Sequence, residues 1–224
     1  MYADTHGVLR RTRDGGKTWK RIGGALPPGV AAPLDQQFAV DSAGVLYYAS
    51  GRRRGAGQIY RSTNRGASWQ PAGAGLAAVT ELAARMPELA GDVDGRAGAV
   101  YMAAGERGVY ATRDGGRRWT RILAVRTSNI RVGAGAVFVI AGPESAPPTL
   151  YRRRSGAWTP VSHPRLDDFA VDPTSSSRLY GWSYVEDDFA NRTCGRLYAS
   201  SDGGAHWTLV GGALPLAREN CGSG

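Results

Sequence analysis

Eight residues, TRDGGKTW from Thr12 to Trp19, return a hundred positions later as TRDGGRRW, Thr112 to Trp119. Looser copies run STNRGASW, Ser62 to Trp69, and SSDGGAHW, Ser200 to Trp207, and a shortened RRSGAW ends at Trp158. The closing tryptophans stand at 19, 69, 119, 158 and 207, spaced by 50, 50, 39 and 49. A period this regular means that one small supersecondary unit is laid down again and again, which constrains the fold more than any bulk property.

The flanks of each copy say what that unit is. Apolar and aromatic runs precede the copies (GQIYRS, GVYAT, TLYRR, GRLYAS) and follow them (WKRIGG, WTRILA, WTLVGG). Two β-prone runs around a turn rich in Asp, Asn and Gly read as a hairpin. A second pair of strand-like runs lies upstream of four copies: QQFAVDSAGVLYYAS, LAGDVDGRAGAVYMAA, NIRVGAGAVFVIAG and DDFAVDPTSSSRLYGWS. Four strands per repeat follow, with the repeated turn joining the third to the fourth. Within the turn each residue type has a mechanical use. The acid accepts backbone amides, glycine admits positive φ, the hydroxyl closes the turn from the other side, and the indole anchors it.

The pattern resembles the Asp-box, or bacterial neuraminidase repeat, written S/T-x-D-x-G-x-x-W. Thr12, Asp14, Gly16 and Trp19 match it in full, as do Thr112, Asp114, Gly116 and Trp119, and Ser200, Asp202, Gly204 and Trp207. Ser62, Asn64, Gly66 and Trp69 depart at one position. The copy ending at Trp158 has Ser155 for the acid and is two residues short, which predicts a tighter hairpin. The resemblance implies an all-β fold of the sialidase-like superfamily, a β-propeller of four-stranded antiparallel blades, about five of them visible, with these turns structural and on the outer rim. Blades are expected over 1–24, 35–73, 88–124, 129–162 and 167–212 of one domain, 1–224. The opening MYADTHGVLRRTRDGG aligns with second and third strands, so the first blade is expected to lack its innermost strand. A five-blade closure and an arc of a larger ring both stay open. The arc is preferred, because the tail RENCGSG is poor in strand-forming residues and an unpaired edge is a liability.

Functional residues are expected on the loops at the face opposite the repeated turns, again by the resemblance. Binding-face candidates are Arg52, Arg53, Arg54, Arg107, Tyr184, Asp187 and Arg192, the last three in a long fifth-blade loop, SYVEDDFANRTC. Between the second and third blades, Leu76, Val79, Leu82, Ala83 and Met86 fall at helical spacing and predict a short packed helix.

Charge decides less than it suggests. The net charge is +9, but Lys17 and Lys20 are the only lysines and the many arginines are dispersed. Arg52–Arg54 and Arg152–Arg154 fall at opposite ends of their blades, so no continuous phosphate track forms and nucleic acid is a poor partner. His6, His163 and His206 lie in different repeats at no ligand spacing, so no metal and no cofactor are expected. Cys194 and Cys221 form a disulfide candidate, which would fit an oxidising compartment. No apolar run reaches the roughly 18–20 residues of a membrane helix.

The first expectation is a non-enzymatic, extracytoplasmic (secreted or periplasmic) scaffold that binds a protein or carbohydrate on the loop-rich face. The alternative is a fragment of a glycoside hydrolase, sialidase-like or xyloglucanase-like. Glu106, Glu144, Glu186, Asp187 and Asp188 are the acids to examine, since that chemistry needs two carboxylates roughly 5–9.5 Å apart. The arginine clamp and tyrosine nucleophile of sialidases cannot be matched residue by residue, so no catalytic residue is assigned.

Overall fold

The computed structural model describes residues 2–5, 8–22, 38–50, 58–74, 76, 88–91, 99–143, 145–161, 163–187 and 192–210. They form five antiparallel sheets in chain order. Blade 1 has three strands, β1 (Tyr2–Thr5), β2 (Val8–Arg11) and β3 (Lys20–Arg21). Blade 2 has β4 (Phe38–Val40), β5 (Leu46–Ser50), β6 (Gln58–Ser62) and β7 (Gln70–Pro71). Blade 3 has β8 (Glu88–Gly91), β9 (Val100–Ala103), β10 (Val109–Thr112) and β11 (Thr120–Leu123). Blade 4 has β12 (Thr127–Gly133), β13 (Ala136–Ala141), β14 (Thr149–Arg154) and β15 (Ala157–Val161). Blade 5 has β16 (Asp168–Asp172), β17 (Ser175–Asp187), β18 (Arg192–Ser200) and β19 (Thr208–Leu209). Each four-stranded blade is an up-and-down meander, and among the described residues the first has three strands, the counterparts of the second to fourth strands of later blades.

Contacts divide the chain into two compact units, Met1–Ile130 and Arg131–Gly224, with the division inside β12. Each unit owns a core laid between two consecutive blades. In the first, Ala39, Tyr47, Ala49, Ile59 and Ala72 of blade 2 meet Leu89, Val100, Met102 and Trp119 of blade 3. In the second, Phe138, Ile140, Leu150 and Val161 of blade 4 meet Phe169 and Leu179 of blade 5, with Phe138 and Phe169 edge to face at 6.5 Å. Strand period sets this up. Side chains alternate between faces, so a strand buried on both faces reads apolar at successive positions, as β13 does at all six.

Several expectations are revised. Tyr184, Asp187 and Arg192 stand in strands, not in a loop: β17 and β18 stay paired from Leu179↔Ser200 out to Asp187↔Arg192, leaving only 188–191 between them. Arg152–Arg154 likewise belong to β14, and the turn itself is only Ser155 and Gly156. Ser155 and Gly156 both take positive φ, 50° and 99°, as a two-residue hairpin turn requires. The expected helix lies outside the described residues apart from Leu76, which packs against the first core. Arg52, Arg53, Arg54, Asp188, Glu144, His6 and Cys221 also lie outside them. Cys194 stands in β18 opposite Val185.

Candidate functional site

The repeated turns come first, because they set which end of each blade is left for binding. In blade 1 the Thr12 hydroxyl donates to Asp14 Oδ1 at 2.6 Å and accepts the Gly16 amide at 2.9 Å. Asp14 Oδ1 also accepts the Thr18 amide, at 2.9 Å. The same bonds recur from Ser62, Thr112 and Ser200, with the Gly66, Gly116 and Gly204 amides at 2.7, 2.9 and 2.9 Å. All four hydroxyl residues are buried. Asn64 keeps the geometry without charge, accepting the Ser68 amide at 2.9 Å and donating from Nδ2 to the Ser68 hydroxyl at 2.8 Å.

These bonds hold the acids ionised. The Thr12 and Thr18 hydroxyls keep Asp14 well below the usual carboxylate range. The Arg118 amide lowers Asp114, and the His206 amide and ring hold Asp202 well below that range. An acid committed to this many fixed donors is a poor proton carrier, so general acid–base chemistry is not at home here. In the shortened turn of blade 4, Arg153 takes the hydroxyl position and its guanidinium lies 6.0 Å from the centre of the Trp158 ring.

The turns also join blades. Trp119 donates from Nε1 to the Ala72 carbonyl at 2.6 Å and is buried against blade 2. Gly116 is held so close to Ala72 that a side chain there would meet its carbonyl oxygen at 2.9 Å. Arg61, just before the hydroxyl position of blade 2, donates to the Gly115 carbonyl at 2.9 Å. Arg152, its counterpart in blade 4, donates to the Gly203 carbonyl at 3.2 Å.

A second set of turn acids joins the first strand to the second. Asp41 accepts the amides of Ala43 and Val45, both at 2.9 Å, and the Tyr47 hydroxyl at 3.2 Å. Burial, with the Asp41 charge beside it, pushes the Tyr47 hydroxyl well above its ordinary range. Asp172 accepts the amide and hydroxyl of Thr174, both at 2.7 Å, and these bonds lower its carboxyl from the ordinary value. The repeated tetrapeptide FAVD, at 38–41 and 169–172, marks both acids, and the sequence reading quoted it without singling them out.

At the other end of blade 3, a single 3-10 turn, Gly105–Arg107, joins β9 to β10. Glu106 on that turn pairs with Arg126, just beyond β11, at 2.7 Å. Arg107 shares the turn, so one predicted binding-face residue is placed beside an exposed carboxylate and a second guanidinium. In the second unit, Arg131 of β12 grips both oxygens of Asp168 of β16, at 2.8 and 3.0 Å, and lies 5.7 Å from the centre of the Phe169 ring. Both residues sit on first strands, and sequence spacing gave no sign of the pair. Among the described residues, no three His, Cys, Asp or Glu side chains are grouped to hold a metal, and no helix is long and apolar enough to cross a membrane.

No family model matches the sequence. A probable oligoxyloglucan-reducing end-specific xyloglucanase of Neosartorya fischeri is 31% identical over 179 residues, which is 78% of this chain and 19% of that enzyme. The GH74 enzyme of Niastella koreensis superposes with a TM-score of 0.63 at 17% identity, over 90% of this chain and 34% of its own. The GH74 xyloglucanase of Xanthomonas campestris gives 0.61 at 23% identity, over 91% and 34%. The chain thus spans about a fifth of the first relative and a third of the other two. The structural likenesses establish a β-propeller fold like that of glycoside hydrolases.

Proposed function

We propose that this chain is a propeller segment of an extracytoplasmic glycoside hydrolase that acts on xyloglucan oligosaccharides. The observation that carries it is the 31% identity over 179 residues to the Neosartorya xyloglucanase. The shared fold of the two GH74 enzymes supports it, and together these favour the hydrolase over the non-enzymatic scaffold that composition and loops alone had put first. The finer assignment, to the Asp-box type, rests on the hydrogen bonds from the Ser/Thr hydroxyl to Asp or Asn and from the glycine amide to that hydroxyl, repeated in four of the five turns.

In this reading the turns hold blades together and sugar is met at the opposite ends, where Arg107, Glu106 and Arg126 lie. Arg52, Arg53, Arg54, Tyr184, Asp187 and Arg192 belong to the same proposed face. Glycoside cleavage needs one carboxyl group to protonate the leaving oxygen and a second to act as base or nucleophile. Asp14, Asp114, Asp202, Asp41 and Asp172 are bound into turns and Asp168 is paired with Arg131, so the acids proposed for that work stay those named from the sequence, Glu106, Glu144, Glu186, Asp187 and Asp188. The Cys194–Cys221 bridge remains part of the proposal, and fits export.

The test is hydrolysis of a panel of defined xyloglucan oligosaccharides by the full-length gene product, with products resolved by mass spectrometry. Release of fragments from xyloglucan oligosaccharides but not from unbranched cello-oligosaccharides is expected. Binding of the panel without any cleavage, under conditions where a control xyloglucanase is active, would return the scaffold to first place.

A further inference from the structure

Two connections meet at the end of blade 4 opposite its hairpin turn. Residues 142–148, GPESAPP, join β13 to β14, and residues 162–167, SHPRLD, lead from β15 to β16. Three of the seven residues in the first connection are prolines, which bring no amide N–H, so the loop has few backbone donors with which to fasten itself. Its Ala146 amide donates to the Pro143 carbonyl at a long 3.3 Å. The second connection is firmly based. Leu166 is buried in the core that holds Phe138 and Phe169, and the Asp167 amide donates to the Trp182 carbonyl at 2.9 Å.

His163 spans the two. Its half-buried ring turns both nitrogens on main-chain carbonyl oxygens, Nδ1 on that of Pro164 and Nε2, at 3.0 Å, on that of Pro148. A carbonyl oxygen only accepts. A neutral imidazole has one N–H and one lone pair, so it satisfies one of these carbonyls and turns a lone pair on the other, whereas an imidazolium donates to both. The arrangement therefore matches the charged ring. Neighbouring charges do not decide the matter. Arg165 and Asp167, of opposite sign, are both exposed on the same connection, where solvent screens them. Asp168, where β16 begins, is held by Arg131, and Arg196 of β18, opposite Ser183, is exposed. Thr149 and Val161, where β14 starts and β15 stops, carry no charge, and Glu144 of the loop lies outside the described residues.

We propose that His163 is a proton-operated clip between these two connections. Protonated, it ties the Pro148 and Pro164 carbonyls through two N–H donors; neutral, it keeps one of the two bonds. Histidine as a side chain changes charge between about pH 5 and pH 8, so the tie is complete in mild acid and weakens as pH rises. It governs a local opening of residues 142–148, not global unfolding. The clip rests on the geometry at this end of blade 4 and holds whichever ligand the protein meets.

The test is nuclear magnetic resonance of the 224-residue chain with isotope-labelled histidine. The chain has three histidines, so His6→Gln and His206→Gln assign the His163 signals by elimination, with His163 itself intact. At about pH 5.5 both ring N–H protons of His163 are expected, each exchanging with water at least tenfold slower than those of free histidine, and at about pH 8 one slow proton is expected. Any other pattern, including two slow protons at both pH values or none in acid, overturns the proposal. Amide hydrogen exchange of residues 142–149, corrected for its intrinsic pH dependence, reads the consequence. Protection should be at least threefold greater in acid than at the higher pH, and His163→Gln, whose amide donates without titrating, should abolish that difference. A difference that survives in His163→Gln, or none in the parent chain, also overturns the clip.

Discussion

Arg61 lies 54 residues before Gly115, and its Nη1 donates to that glycine's carbonyl oxygen at 2.9 Å. The bond joins one blade to the turn of the next, and Arg152 repeats it on Gly203 in the second unit at 3.2 Å. Truncating either arginine leaves a carbonyl without its charged donor, which should cost about 1.5–3 kcal/mol. Arg61→Ala and Arg152→Ala are expected to lower the denaturant midpoint by comparable amounts. They share no partner, so their effects in the double variant should add to within about 0.5 kcal/mol.

Trp119 offers a larger effect, because it combines burial with a hydrogen bond to Ala72. Trp119→Ala should cost about 3–5 kcal/mol, the range for a large aromatic removed from a core. Trp119→Phe keeps most of the packing but leaves the Ala72 carbonyl unpaired, and about 1–3 kcal/mol is expected. Denaturant unfolding followed by circular dichroism distinguishes the two. Equal losses would mean that the packing adds nothing beyond the hydrogen bond, and no loss in Trp119→Phe would mean that the hydrogen bond adds nothing.

The turn acids predict acid sensitivity of a particular sign. Asp14, Asp114 and Asp202 have carboxyl groups held lower in the folded chain than in the unfolded one. Their contribution is therefore complete above the unfolded value of about 3.9 and is lost as pH falls through the folded values. Thermal midpoints measured from pH 7 to pH 2 should be flat at first and fall below about pH 4. Asn64 fills the same turn without titrating, so Asp14→Asn should keep the turn and make that fall shallower. An unchanged slope in Asp14→Asn and Asp202→Asn together would show that the turns do not set acid stability.

Gly108 stands at φ +82°, and a Cβ there would meet the Leu123 carbonyl oxygen at 2.0 Å. Gly108→Ala should destabilise by more than the roughly 1–2 kcal/mol that left-handed backbone alone costs. It should also disturb the Glu106–Arg126 pair two residues away. Under the proposed function, Gly108→Ala would weaken xyloglucan binding, measured calorimetrically, by more than its loss of stability explains. Glu106→Gln, by contrast, breaks an exposed ion pair and should change stability by less than about 1 kcal/mol.

What could be read from the chain, and what could not, divides by distance along it. The turn bonds run from residue i to i+2 and i+4, as in Thr12 to Asp14 and Gly16, so eight letters encode them and five copies announce the fold. Strand alternation is local in the same way. The fifth-blade hairpin was misread because acids such as Glu186 and Asp187 have low strand propensity, yet pairing with Arg192 and Thr193 carries both strands past them.

The repeat is legible from the letters alone: a four-stranded meander with a fixed corner, because every bond that shapes the corner closes within five residues. How neighbouring blades meet within each compact unit is written in the three-dimensional fold: Arg61 on Gly115, Trp119 on Ala72, Arg131 on Asp168, with partners 54, 47 and 37 residues apart. No local propensity encodes such pairs, because each depends on where a separate blade places a carbonyl or a carboxylate.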